Sequence, residues 1–322
     1  MDRRQGFRVN RTLEVVTLGE PLVLLLAEAG IPLANAQIFR RQAIGAELNV
    51  ATGLARMGHC VALAARVGND QLGTALLGAI RYEGIDTTMV HRDPAPTGLI
   101  VRDCPSARPV DVAYYRTDSA GAQLCPEDLD PSLIGSARVL HLTGITPMLS
   151  ATCAATVEAA VASGGAAGAD ICVDPNLRRR LGTLEQARAA LSPALAAATI
   201  ILAGTDEGQA LTGLEDRSRV ADHWLSEGAR IVVLKEGPAG SWVYDGNTAT
   251  PIPATPVPTV DPVGAGDAYA AGFLSGLLRG DDPAGAARLG AAVAALVVAT
   301  PGDREGLPTS APPPGFAADV HR

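Results

Sequence analysis

Short apolar runs alternate along this chain with stretches in which apolar residues recur every three or four positions. The run "EVVTLG" (14–19) predicts a strand closed by glycine. "AELNVATGLARMG" (46–58) has helical spacing and ends at Gly58. "CVALAARVG" (60–68) reads as a strand, and "DQLGTALLGAIRYEG" (70–84) as a helix with Leu72, Leu76, Leu77 and Ile80 on one face. The alternation resumes with strands at 138–144, 171–174, 199–204 and 230–237. Helices are predicted between them at 150–163, with Ser150 as cap, and at 183–198, 206–212 and 217–227. Repeated strand–helix–strand units whose strands are uniformly apolar predict an α/β fold, a mostly parallel sheet with helices on both faces.

Two regions break this rhythm. Residues 22–42 and 97–116 contain four short extended runs separated by turn residues and no helix. They predict a small accessory β-sheet, a lid over a cleft of the α/β domain. Unpaired strand edges on such a lid invite pairing, which predicts a homodimer through the lid. The stretch 309–322 is a Pro-rich tail outside the domain.

Composition narrows the function. At 322 residues the chain can enclose a large core and a deep cleft as one domain. The net charge of −8 and the lack of a basic stripe argue against nucleic acid. The longest apolar stretch, 291–299, is far too short to span a bilayer, so no membrane association is expected. Five scattered cysteines without a Cys-x-x-Cys pair point to reduced thiols and a cytoplasmic protein. Five isolated histidines show no metal-ligand spacing, and His141 reads as a core residue. Nearly all positive charge is arginine, with Lys235 the single lysine.

The segment carrying chemistry is "VDPVGAGDAYAAGFLSGLL" (260–278). Gly264 and Gly266 form a turn, followed at once by Tyr269, Ala270, Phe273, Leu274 and Leu277 at helical spacing. Glycines there let backbone N–H groups converge, and the helix adds the positive end of its dipole, which together make an anion site. Asp267 falls in the first turn beside it. Two readings follow: a carboxylate that merely favours a helix N-terminus, or a base that takes the proton of a hydroxyl attacking a bound phosphoryl group.

This string closely resembles the C-terminal signature of the ribokinase-like sugar kinases, the PfkB family, and the resemblance extends over roughly residues 14–308. It implies a ribokinase-like fold, ATP and Mg²⁺ as cofactors, an anion hole from Gly264, Ala265 and Gly266, and Asp267 as catalytic base. "IGAELNVATGLARMG" resembles the family's first signature, which implies sugar contacts from Gly45, Ala46, Glu47 and Asn49; Ile44 stands where the first glycine of a pair usually falls. "VDVAYYRTDSAGAQLCPEDL" (110–129) resembles the members that phosphorylate 2-keto-3-deoxygluconate, implying that Tyr114, Tyr115 and Arg116 line the acceptor pocket. An arginine there fits an acid sugar, because its fork matches a carboxylate.

"VDPNLRRRLG" (173–182) resembles the same group. It implies Asn176 on the cofactor side and Arg178 on the acceptor, with Arg179 and Arg180 as surface charge. In "LAGTDEGQALTG" (202–213), Glu207 matches the family's metal-organising glutamate, while Gly204 replaces an asparagine, so Mg²⁺ is expected through water or Asp206. "VLKEGPAGSWVY" (233–244) implies Lys235, Gly237 and Gly240 along the nucleotide, and "ATPGDREGLP" (299–308) implies substrate contact by Asp303. The expected activity is transfer of the γ-phosphoryl group of ATP to a terminal hydroxyl of a small-molecule sugar acid, 2-keto-3-deoxygluconate in the first place. Kinases for a neutral sugar or nucleoside, and a non-catalytic sensor on the same fold, are the alternatives. An NAD-binding dehydrogenase is disfavoured because no Gly-x-Gly-x-x-Gly follows the first strand.

Overall fold

The structure, a computed structural model, describes residues 13–105 and 110–310; the Pro-rich segment from 311 onward and the 106–109 part of the lid lie outside them. The first half of the chain contains β1 (Val15–Leu18), β2 (Leu22–Ala27), β3 (Phe39–Ile44), α1 (Ala46–Arg56), β4 (Val61–Gly68), α2 (Gln71–Tyr82), β5 (Val90–Asp93), β6 (Leu99–Arg102) and β7 (Val112–Tyr115). The second contains α3 (Pro131–Ser136), β8 (Val139–Thr143), α4 (Ala151–Ala167), β9 (Asp170–Asp174), α5 (Leu184–Ala197), β10 (Ile200–Gly204), α6 (Thr205–Thr212), α7 (Arg217–Ser226), β11 (Ile231–Lys235), β12 (Ser241–Tyr244), β13 (Ala249–Ile252), α8 (Ala265–Arg279) and α9 (Pro283–Val298).

Nine strands form the large sheet in the order β13-β12-β11-β10-β9-β8-β1-β4-β5. All pairs from β11 to β5 are parallel, and only the β11-β12-β13 edge is antiparallel. The apolar strands divide their residues between two faces with period two. Val15, Val139 and Val233 join one core beneath α1, α8 and α9, while their neighbours Val16, Leu140 and Val232 join the other beneath α4, α5 and α7. Burial on both faces explains why no polar alternation marks these strands in the sequence. Helix starts follow local chemistry, as the Ser150 hydroxyl accepting from Cys153 N and the Thr183–Gln186 capping box show. Where α8 and α9 cross, a Cβ on Gly272 would press on the Gly290 backbone, so the close approach requires glycine.

The two irregular regions form a separate four-stranded sheet, order β3-β2-β6-β7. Its β3 runs on to Ile44, beyond the expected limit at 42, because Ile44 pairs with Leu22 and packs into a small core with Leu24, Leu26, Ile100 and Cys104. The side chain in place of the family's first glycine is therefore a buried member of the lid. β5, β12 and β13, which the periodicity did not separate, close the two edges of the large sheet.

Candidate active site

A cleft of about 1070 Å³ separates the lid sheet from the carboxyl ends of the parallel strands. Asp174 at the end of β9, Gly204 at the end of β10 and Lys235 at the end of β11 all line it, as expected for ligand sites of open α/β sheets. Facing them are Gly45, Ala46 and Asn49 at the start of α1, Gly264, Gly266 and Asp267 at the start of α8, and Asp303; Tyr114 and Arg116 come from the lid.

Gly264 is the N-cap of α8, with φ 83°, in the left-handed region. A Cβ there would also overlap the carbonyl oxygen of Asp303. Ala265 N–H donates to the Pro262 carbonyl (3.3 Å), whereas the Gly266 and Asp267 N–H groups belong to the first helical turn and have no intrahelical acceptor. The cradle thus presents Gly266 and Asp267 N–H to an anion, and Ala265 serves as backbone between the glycines.

Asp267 does not cap α8. Its carboxylate turns away from the backbone and accepts from Asn49 Nδ2 (2.8 Å) and Asn176 Nδ2 (3.4 Å). Burial, with only 9% of the residue exposed, raises its pKa to about 7; the Asn49 bond opposes the rise and the negative charge of Asp174 adds to it. Asn176 has φ 43°, rare outside glycine, and its N–H donates to Asp174 Oδ1 (3.1 Å). That turn aims its amide at Asp267 while Asn176, expected on the cofactor side, also lines the cleft. Asn49 Oδ1 is buried and has no partner among the described residues.

Lys235 Nζ donates to Asp174 Oδ2 (2.6 Å) and lies 3.7 Å from where a Gly266 Cβ would be. Burial alone would lower its pKa, but the attraction of Asp174 outweighs this and raises it, keeping an ammonium beside the cradle. Glu207 accepts from Leu177 N (2.7 Å) and, around the α6 N-terminus, from Gly204 N (2.8 Å). Burial and the charge of Asp174 raise its pKa. Both carboxylate oxygens already have backbone donors, and among the described residues no group of three or more His, Cys, Asp or Glu can hold a metal ion. Two hard carboxylates, Glu207 and Asp174, fit a Mg²⁺ held mainly by water and phosphate oxygens. Asp206 is not part of the cleft lining.

Other expected residues divide between the cleft and its support. Glu47 lies beneath the cleft, fully enclosed, where Thr143 Oγ1 (2.6 Å) and Thr146 Oγ1 (2.7 Å) donate to it. Its place on α1 points into the protein, so it supports the site from below. Tyr115 alternates with Tyr114 along β7 and, at 63% exposed, stands on the face away from the cleft, while Tyr114 and Arg116 line it. Gly237 and Gly240 lie beyond the cleft lining; Gly240, φ 99°, packs against the Ile252 carbonyl and shapes the β11–β12 turn. Arg178 lines the cleft, with Nη1 on the Leu177 carbonyl (3.2 Å). Arg180, expected as surface charge, crosses to the lid: Nη1 donates to the Val112 carbonyl (3.0 Å), and the guanidinium lies 5.4 Å from the Tyr114 ring centroid.

Four charged residues around the site were given no role from the sequence: Asp174, Glu20, Arg102 and Asp261. Glu20 accepts from Arg116 and Ser119, and its signal was available, as the one charge inside the apolar stretch 15–27. Arg102 and Asp261 pair with each other, and nothing local singles them out.

Residues 14–310 match the family model of the pfkB carbohydrate kinases. The chain belongs to this family. The PfkB chain is therefore a carbohydrate kinase, a phosphotransferase on a ribokinase-like fold. It is 36% identical to a 2-dehydro-3-deoxygluconokinase of Bacillus subtilis, over 92% of this chain and 93% of the relative, and 34% identical to one of Thermoproteus tenax, over 92% of each. Among solved structures it resembles a PfkB protein from Polaromonas sp. JS666 (TM-score 0.83, 36% identity, 92% of this chain and 99% of that one). It also resembles a putative ribokinase II of E. coli in complex with ATP and Mg²⁺ (TM-score 0.84, 26% identity, 91% and 95%). No helix among the described residues is long and apolar enough to cross a membrane.

Proposed function

We propose that this kinase transfers the γ-phosphoryl group of ATP, with Mg²⁺, to a terminal hydroxyl of a sugar acid of the 2-keto-3-deoxygluconate class, the acceptor named for its B. subtilis and T. tenax relatives. The catalytic unit spans 14–308, and the exposed lid edges pair two subunits. The observation that carries the chemistry is a buried acid with a pKa near 7, held by two asparagine amides beside unpaired helix N–H groups.

Asp267 accepts the proton of the acceptor hydroxyl, while the Asn49 and Asn176 amides hold its two carboxylate oxygens. The Gly266 and Asp267 N–H groups and the Lys235 ammonium stabilise charge on the transferring group, the effect that usually contributes most. Glu207 and Asp174 would hold a bound Mg²⁺, which would supply further charge neutralisation on the phosphates. Arg178, Arg180 and Arg116 make the acceptor end cationic.

One observation favours a second reading. Glu20 already pairs with Arg116, so part of the lid's positive charge is met inside the protein, and a neutral sugar is the competing acceptor. Coupled ADP-release assays over 2-keto-3-deoxygluconate, gluconate, fructose, ribose and adenosine separate the two. The sugar acid is expected to show the highest kcat/KM; a neutral sugar at the top would sink the acid assignment, and no transfer to any acceptor with ligand binding retained would leave a sensor.

A further inference from the structure

Arg102, the last residue of lid strand β6, is only 3% exposed and reaches out of the lid into the base of the cleft. Its Nη2 donates to Asp261 Oδ2 (2.8 Å) and to Asp303 Oδ1 (2.7 Å), residues 159 and 201 positions away, and its Nη1 donates to the Asp103 carbonyl (3.2 Å). Both residues are built into the anion cradle, Asp261 through its carboxylate and Asp303 through its backbone. Asp261 Oδ1 accepts from Val263 N (3.2 Å), fixing the approach to Gly264, and Asp261 Oδ2 accepts from Gly302 N (3.0 Å). Asp303, next in the chain, places its carbonyl where any Cβ at Gly264 would fall. Both the approach and the wall of the cradle therefore meet at one guanidinium supplied by the lid. Two enclosed carboxylates sharing one cation repel each other when it is removed.

We propose that Arg102 is a positioning residue that couples the lid to the catalytic cradle: by drawing Asp261 and Asp303 together, it sets the Gly264–Gly266 backbone when β6 is seated over the cleft. The proposal rests on the reading of this cradle as the phosphoryl site. It assigns Arg102 no contact with the reacting atoms; misplacing a cradle by about 1 Å costs on the order of 100-fold in rate without abolishing binding.

The test uses the full-length Arg102→Met, Arg102→Lys and Arg102→Met/Asp261→Asn proteins. Expected for Arg102→Met is a loss of about 100-fold in kcat with KM for ATP changed by less than about fivefold. Amide hydrogen exchange is expected to quicken across 260–266 and 302–304 and to stay unchanged across 139–143. The double variant, which removes one of the two repelling charges, is expected to recover about tenfold of the lost kcat, and Arg102→Lys to retain more activity than Arg102→Met. A folded Arg102→Met with kcat within twofold of wild type, or faster exchange spread over the whole protein, would overturn the coupling. Should Arg102→Met fail to fold, the same kinetic and exchange measurements on Arg102→Lys and the double variant decide it. A wild-type protein that phosphorylates no acceptor refutes the functional reading instead, while the exchange pattern still decides whether Arg102 holds the cradle.

Discussion

The cleft has two walls built on different principles. At the α8 end, the anion cradle and its acid come from four consecutive residues, Gly264 to Asp267, whose spacing alone places N–H groups and carboxylate together. At the lid end, the charges are set by pairs drawn from distant segments: Arg116 with Glu20, Arg102 with Asp261 and Asp303, Arg180 with the Val112 carbonyl. A transferring phosphoryl group needs one fixed geometry, and a helix N-terminus supplies its N–H donors from consecutive residues. Acceptors differ between family members, and a separate small sheet can vary its acceptor-facing side chains while Arg102 ties it to the cradle.

The comparison predicts that damage at the cradle, or at the Arg102 that braces it, acts on turnover, and damage at the acceptor-facing lid residues on acceptor affinity. Asp267→Asn is the largest test: kcat should fall about 10³- to 10⁴-fold, with ATP affinity by calorimetry nearly unchanged. Near-normal turnover would remove Asp267 as base. The same variant should be more stable than wild type above pH 7. Burial raises the Asp267 pKa from 3.8 to about 7, so the folded state binds this proton more tightly than the unfolded chain, and stability falls as pH rises from about 4 to about 7. Asparagine carries no such cost; a Tm at pH 8 a few degrees above wild type, by calorimetry, is the expected sign.

Lys235→Met comes next. It strips the cation from the cradle and leaves Asp174 enclosed without its partner, so a loss of about 100-fold in kcat is expected together with about 3 kcal/mol of stability by urea unfolding. An unchanged kcat would place Lys235 outside the chemistry. For the wild type, kcat/KM for the acceptor should fall about tenfold per pH unit below about 7, because the proton then occupies the base; a profile flat down to pH 5 would refute the assigned base.

At the lid, Arg116→Gln should raise KM for the sugar acid about tenfold or more and change KM for a neutral sugar little; equal effects on both would show that Arg116 does not read a carboxylate. Smallest of all, Tyr115→Ala should alter either parameter less than about twofold, since its ring stands on the outer face of β7. A larger effect on KM in that variant would mean that the outer face of β7 also shapes the acceptor pocket.

Much of this division follows how the information is written along the chain. The parallel strands and their helices were legible because each is a local pattern: period two or uniformly apolar in strands, three to four in helices, with caps such as Ser150 at the starts. The cradle was legible for the same reason. Tyr115 and Glu47 were harder, because a motif names residues and not the face they take. The pleat of β7 turns Tyr115 away from Tyr114, and the pitch of α1 sends Glu47 down to Thr143 and Thr146 while Asn49 faces the acid. Arg180 read as surface charge because its partners, Val112 and Tyr114, are supplied by another sheet.

By itself the sequence determined the α/β layering, the small separate sheet and the glycine turn that opens α8 with Asp267 in its first turn, since each is a local pattern. Only the tertiary structure decided what state that acid is in and which charges surround it. The pKa of Asp267 depends on burial under Asn49 and Asn176 and on the nearness of Asp174, and the lid is tied to the cradle by an arginine whose two carboxylates lie more than 150 residues away. Electrostatic energy depends on distance and surroundings in space, and neither is written in the order of the residues.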